Sequence, residues 1–135
     1  MRIEHIGYPA GQPAQVAQWY GQHLGFRIAR SQEQPPYTHF LVDGAGQGVI
    51  EIYNYEEVPP PDYWRQDPLL LHLAIEVEAE SIEAATERLL AAGATVAKAM
   101  VTTAAGDRLI MLRDPWGFPL QLASRQVSLR LDQHS

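Results

Sequence analysis

The chain has 135 residues, 46% of them hydrophobic, enough for one ordinary domain whose core needs no covalent staples. It has no cysteine, which excludes a disulfide framework, thiolate zinc ligands and a cysteine nucleophile, so any metal must be held by His, carboxylate or amide groups. A net charge of −6, from 10 Lys and Arg against 16 Asp and Glu, argues against nucleic acid or an anionic membrane as partner and leaves a small molecule.

Met1-Arg2-Ile3-Glu4-His5 opens with charged residues, and no stretch has the length of a signal-peptide core or a membrane span, so a soluble cytoplasmic protein is expected. Ile3 to Tyr8 reads as a first strand that carries His5 and stops at Pro9-Ala10-Gly11. From Pro13, the residues Val16, Trp19, Tyr20 and Leu24 recur at helical spacing, and Gly25 follows where a C-terminal cap belongs. Strand-like runs follow at Phe26 to Arg30, Tyr37 to Val42 and Val49 to Tyr53, separated by Pro35-Pro36 and by the turn Gly44-Ala45-Gly46-Gln47-Gly48. The first module, about residues 1–54, therefore reads βαβββ. In its last strand Glu51 shares a face with Val49 and Tyr53, while Ile50 and Ile52 take the other. His39 shares a face with Tyr37 and Leu41, and parity alone leaves open whether that face is inward.

Residues 55–68 form a linker that holds Tyr55, Pro59-Pro60-Pro61, Tyr63 and Trp64. It is too rich in proline for a regular element and too aromatic for a solvated tether, so it could close over a substrate or plug an apolar surface. Leu69 to Val77 is an apolar run with His72 inside it, bounded by Asp67-Pro68 and by Glu78-Ala79-Glu80, and reads as a buried strand. His72 and Ala74 point to one face of it, and Leu71, Leu73, Ile75 and Val77 to the other. A helix follows from about Ser81, with Glu83 in its first turn and Ile82, Ala85, Leu89 and Leu90 apolar, and ends at Gly93. Thr95 to Met100 and Arg108 to Arg113 read as strands, and Asp114-Pro115-Trp116-Gly117 turns the chain into a strand from Pro119 to Ala123. The second module, about residues 69–124, is again βαβββ. The tail, residues 125–135, alternates Val127, Leu129 and Leu131 and is expected to pack against a sheet edge or a partner.

The two modules repeat more than a pattern of elements. Gln121 sits between Leu120 and Leu122 as Glu51 sits between Ile50 and Ile52, and His72 opens the second module as His5 opens the first. Duplicated units usually pack by pseudo-symmetry, which brings equivalent residues together near the axis. Two imidazoles, one carboxylate and one amide oxygen suit a borderline divalent ion, Zn²⁺, Ni²⁺, Co²⁺, Mn²⁺ or Fe²⁺. The plainer alternative, four polar groups lining a cavity without metal, must bear the cost of burying them without a partner. His23 beside the first helix cap and His134 in the tail are expected in solvent.

The whole arrangement resembles the vicinal oxygen chelate superfamily of glyoxalase I, methylmalonyl-CoA epimerase, extradiol dioxygenases and bleomycin-resistance proteins. The resemblance covers residues 1 to about 124 and is closest in length and spacing to bacterial-type glyoxalase I. It rests on His5, on Trp19-Tyr20 through Leu24-Gly25-Phe26, on Val49-Ile50-Glu51-Ile52, on His72 and on Asp114-Pro115-Trp116-Gly117-Phe118-Pro119-Leu120-Gln121-Leu122. It implies an α+β fold of two tandem βαβββ modules forming a curved mixed sheet around a central cavity, a homodimer, and metal ligands at His5, Glu51, His72 and Gln121. It also implies a metal-dependent lyase or isomerase acting on a small molecule with vicinal oxygens, with Glu51 as the base. Gln121 stands where glyoxalase I usually has Glu. The alternatives are a thioester epimerase, an extradiol-type dioxygenase with iron on His5, His72 and Glu51, and a bleomycin-resistance-like protein that binds without turnover.

Overall fold

The computed structural model describes residues 1–131; residues 132–135, His134 among them, lie outside the described residues. The chain divides between Pro61 and Asp62 into two compact units. The first contains β1 (Ile6–Pro9), α1 (Pro13–Leu24), β2 (Arg27–Ser31), β3 (His39–Val42) and β4 (Val49–Tyr53). The second contains a 3₁₀ turn (Tyr63–Arg65), then β5 (Leu73–Glu76), α2 (Ile82–Ala91), β6 (Thr95–Thr102), β7 (Arg108–Arg113) and β8 (Pro119–Ser124). Each unit holds a four-stranded mixed sheet, in the order β1-β4-β3-β2 and β5-β8-β7-β6. The fold is α+β, two tandem βαβββ modules.

Local chemistry explains where the helices start and stop. Proline begins α1, where its missing N–H has no helical partner to lose, and Gly25 ends it in the left-handed region at φ 71° with its N–H donating to the Tyr20 carbonyl. The Ser81 side chain accepts from the Ala84 N–H at 3.1 Å and caps α2, with Glu83 in the first turn and Arg88 in the last, each placed to suit the helix dipole. In the first unit the buried face of α1 is Val16, Ala17, Trp19 and Tyr20, and Leu41 and Ile50, cross-strand partners on β3 and β4, are buried with them. In the second unit Ile82, Ala85 and Leu89 of α2 are buried together with the cross-strand pair Leu112 and Leu120. Truncating any of the larger of these to alanine should cost about 2–5 kcal/mol.

Two strands are shorter than their sequences suggest. β1 begins at Ile6 and not at Ile3, and β5 covers only Leu73–Glu76, so both His5 and His72 stand just ahead of a strand. In the second case a turn wins over the apolar run: the Asp67 side chain accepts from the Leu69 N–H at 2.9 Å and its carbonyl from the Leu70 N–H at 3.0 Å. Leu69, Leu70 and Leu71 are consequently exposed. β5 is not the doubly covered strand its composition suggests, because it lies at the edge of its sheet and pairs with β8 alone.

The tail meets the end of the edge strand β5 through polar rather than apolar side chains. Val127, Leu129 and Leu131 are exposed, and polar residues fasten the segment instead: Ser128 Oγ lies 3.3 Å from Glu76 Oε2, and Arg130 Nη2 donates to Glu78 Oε1 at 2.8 Å. The neighbouring Glu78 carboxylate holds the Glu76 carboxyl above its ordinary pKa. No described helix is long and apolar enough to cross a membrane.

Candidate functional site

In the first unit, β1 runs parallel to β4 with Gly7 opposite Glu51, and His5 lies two residues ahead of Gly7. The pleat therefore offers His5 and Glu51 the same side of the sheet. His5 Nε2 lies 3.4 Å from Glu51 Oε1, and the two side chains are 33% and 20% exposed. On the other side of the ring, Nδ1 donates to Glu4 Oε1 at 2.8 Å. A carboxylate can only accept, and Nε2 faces one as well, so the protonated ring can donate from both nitrogens, while in the neutral ring the shorter Glu4 contact favours the proton on Nδ1. The Glu4 hydrogen bond, opposed in part by desolvation and joined by the Glu4 and Glu51 charges, raises the His5 pKa. Phe40, the cross-strand neighbour of Glu51, meets the His5 ring edge-on at 5.4 Å.

Gly7 makes room for this pair. A methyl group there would lie 3.1 Å from Glu51 Oε1 and 3.1 Å from a ring carbon of Tyr53, so the carboxylate leans over the bare α-carbon.

The second unit copies the placement. β5 runs parallel to β8 with Ala74 opposite Gln121, and His72 lies two residues ahead of Ala74. Its Nδ1 donates to the Pro68 carbonyl at 3.0 Å, which again leaves Nε2 as the lone-pair nitrogen. Among the described residues no three His, Asp or Glu side chains gather into a metal-sized group; the first unit brings His5 and Glu51 together as a pair. The donor chemistry of these residues suits a borderline divalent ion: two imidazoles, each with its Nδ1 already engaged, and two oxygen-bearing side chains in matching register.

The other histidines fall elsewhere. His39 is opposite Ile52 on the buried face of the sheet that also carries Leu41 and Ile50, so it faces away from Glu51, and its Nδ1 donates to the Tyr37 carbonyl at 2.7 Å. His23 is half-buried with its ring centroid 5.2 Å from that of Trp19, where solvent was expected. Sequence reasoning passed over Glu4, Gly7 and the Pro68 carbonyl. Glu4 adjoins a candidate ligand and could have been suspected, Gly7 gains meaning only from the strand register, and a backbone carbonyl leaves no trace in a sequence.

The family described as the Glyoxalase/Bleomycin resistance protein/Dioxygenase superfamily matches residues 2–122. The chain belongs to this superfamily. Among solved structures, a glyoxalase family protein from Enterococcus faecalis is similar at 25% identity and TM-score 0.67, over 91% of this chain and 97% of that one. A fosfomycin resistance protein from Listeria monocytogenes shares the superfamily fold at 20% identity and TM-score 0.71, covering 97% and 98% of the two chains. So does an antibiotic binding protein from a Streptomyces species, at 18% identity and TM-score 0.68, covering 93% and 99%. Comparison with curated proteins gives no match.

Proposed function

We propose that the chain is a metal-dependent lyase or isomerase of the glyoxalase type, binding one divalent ion, Zn²⁺, Ni²⁺, Co²⁺, Mn²⁺ or Fe²⁺, through His5, Glu51, His72 and Gln121. The observation that carries this reading is the duplicated placement: in each unit a histidine stands two residues ahead of the residue facing a strand-borne oxygen donor, and His5 Nε2 is already 3.4 Å from Glu51. When bound, the ion would supply Lewis acidity to two adjacent oxygens of a small substrate. Glu51 is the base, the one carboxylate of the four, and the missing side chain of Gly7 leaves room for its carboxylate beside His5. Gln121 supplies an amide oxygen and no basic group, so proton transfer on carbon falls to Glu51 alone.

A second reading, sequestration of a small molecule without turnover, draws support from the fold shared with an antibiotic binding protein. Metal analysis of protein purified without chelator, followed by calorimetric titration with Zn²⁺ and Mn²⁺, separates the two. One ion bound, lost in His72→Ala, is the expected result; a chain that takes up no metal under any of these conditions would leave only sequestration.

The chain is also proposed to form a homodimer. β1, β2, β5 and β6 are the outer strands of the two sheets, and Ile6, Ile28, Val96 and Val101 on them are exposed. Such edges need covering. Sedimentation showing a monomer at working concentration would remove this claim.

A further inference from the structure

His72 is exposed, and a neutral imidazole in water exchanges between its two tautomers unless a fixed acceptor selects one. The acceptor here is the carbonyl of Pro68, a buried residue at the end of a segment that runs from Asp62. One side chain outside that segment holds two of its carbonyls. Arg113, the last residue of β7, donates through Nη1 to the Tyr63 carbonyl at 2.7 Å and the Gly117 carbonyl at 3.0 Å, and through Nη2 to the Gln66 carbonyl at 2.8 Å. The planar guanidinium thus ties both ends of the Tyr63–Gln66 stretch to the β7–β8 turn in a way a point charge cannot reproduce.

Aromatic contacts seat the same segment. Tyr63 is buried with its ring edge-on to Phe118 at 4.9 Å, and the Trp64 indole lies so close to Gly117 that a methyl group there would come within 2.7 Å of it. Gly117 also holds φ 90°, so glycine is required twice over. The Asp62 side chain accepts from the Trp64 N–H at 3.2 Å, and Asp67 starts the turn that leads to His72. The segment is therefore fastened to the framework of the second unit.

We infer that Arg113 is a positioning residue for His72: by fixing the Tyr63–Gln66 carbonyls it holds the Pro68 carbonyl that keeps the His72 proton on Nδ1 and its lone pair on Nε2. The inference rests on the proposed metal site for its purpose, and its geometry stands without it. Nitrogen-15 NMR of the histidine rings in the metal-free full chain reads the tautomer directly, and zinc titration reads its consequence. In wild type, His72 should show the Nδ1–H form. In Arg113→Met it should show mixed tautomers, with zinc affinity lower by roughly 10- to 100-fold, the range for losing a ligand's supporting partner. The His5 signals, held by Glu4, should not move. If Arg113→Met does not fold, Arg113→Lys is read in its place, with a smaller shift in the same direction expected. A His72 ring that stays wholly Nδ1–H in the variant overturns the inference. A ring that loses the tautomer while zinc affinity is unchanged upholds the positioning role and removes His72 from the metal site.

Discussion

The two units set a histidine and an oxygen-bearing side chain in the same register and surround the histidine with different electrostatics, acidic in one and neutral in the other. In the first, His5 stands between two carboxylates, Glu4 on Nδ1 and Glu51 beside Nε2. In the second, His72 has a neutral carbonyl on Nδ1, and the neutral Gln121 occupies the register of Glu51. The shared placement follows from topology, since a strand paired in parallel with the last strand of its module fixes what lies opposite what. The difference follows from side chains. The first unit surrounds its histidine with negative charge, and the second holds its histidine by a neutral backbone carbonyl.

The largest expected effect comes from removing either histidine. His5→Ala and His72→Ala should each weaken zinc binding by more than roughly 100-fold, beyond the usual loss from a supporting partner. Calorimetry on both variants checks that the two halves serve one ion. If one variant binds as wild type does while the other loses binding, the ion belongs to a single unit.

The turns that precede the donor strands carry the comparison into stability. In the second unit Asp114 is 1% exposed and its Oδ1 accepts from the backbone N–H groups of Trp116 at 2.9 Å and Phe118 at 3.0 Å. In the first, Asp43 begins the corresponding β3–β4 turn, is half-buried, and accepts from the Gln47 N–H at 3.0 Å. Asp114→Ala strands buried donors and should cost about 2–3 kcal/mol, whereas Asp43→Ala should cost about 1 kcal/mol or less. Thermal unfolding of the metal-free proteins measures both, the first lowering the midpoint by roughly 6–10 °C. Equal losses would mean that burial does not distinguish the turns.

Changing Gln121 to Glu makes the halves alike. The added carboxylate brings a negative charge to the site at nearly the same reach, and zinc binding should tighten by about tenfold, or about 1.4 kcal/mol. Titration decides it. Equal or weaker binding by Gln121→Glu would show that residue 121 does not face the ion.

Much of this was legible because alternation and residue type are local signals. The spans Val49–Tyr53 and Arg108–Arg113 follow directly from β-branched and apolar runs bounded by turns, and they coincide with β4 and β7. The parity that sets Glu51 apart from Ile50 and Ile52 holds in the structure, where Ile50 and Ile52 are buried. What was not legible depends on pairing. Ile3 and Leu69 to Leu71 have strand-like composition, but β1 and β5 lie at sheet edges, and Asp67 diverts the backbone N–H groups of Leu69 and Leu70 into a turn. The side of His39 became clear only from its position opposite Ile52. Arg113 reads as an ordinary charged strand end, because its three acceptors are backbone carbonyls, one of them at Tyr63, across 50 residues of chain.

The smallest effect tests the space between strands. Gly7 faces Glu51 in the first unit where Ala74 faces Gln121 in the second, so the two oxygen donors differ in the residue opposite them as well as in charge. Gly7 has no positive φ, and alanine can adopt its backbone; the substitution should leave stability unchanged or raise it by about 0.5 kcal/mol through the unfolded chain. Its methyl would nevertheless sit 3.1 Å from Glu51 Oε1, tighter than ordinary contact, and must push the carboxylate off its place beside His5. Zinc affinity in Gly7→Ala should fall by roughly three- to tenfold, less than the loss of a ligand's supporting partner at its largest, with no fall in melting temperature. The mirrored change, Ala74→Gly, removes a methyl where no carboxylate leans and should leave zinc affinity as it was. Affinity lost equally in both variants would mean that the strands respond as a whole. Affinity lost in Gly7→Ala alone would place the effect in the first unit, where the bare α-carbon accommodates the Glu51 carboxylate and the edge of the Tyr53 ring.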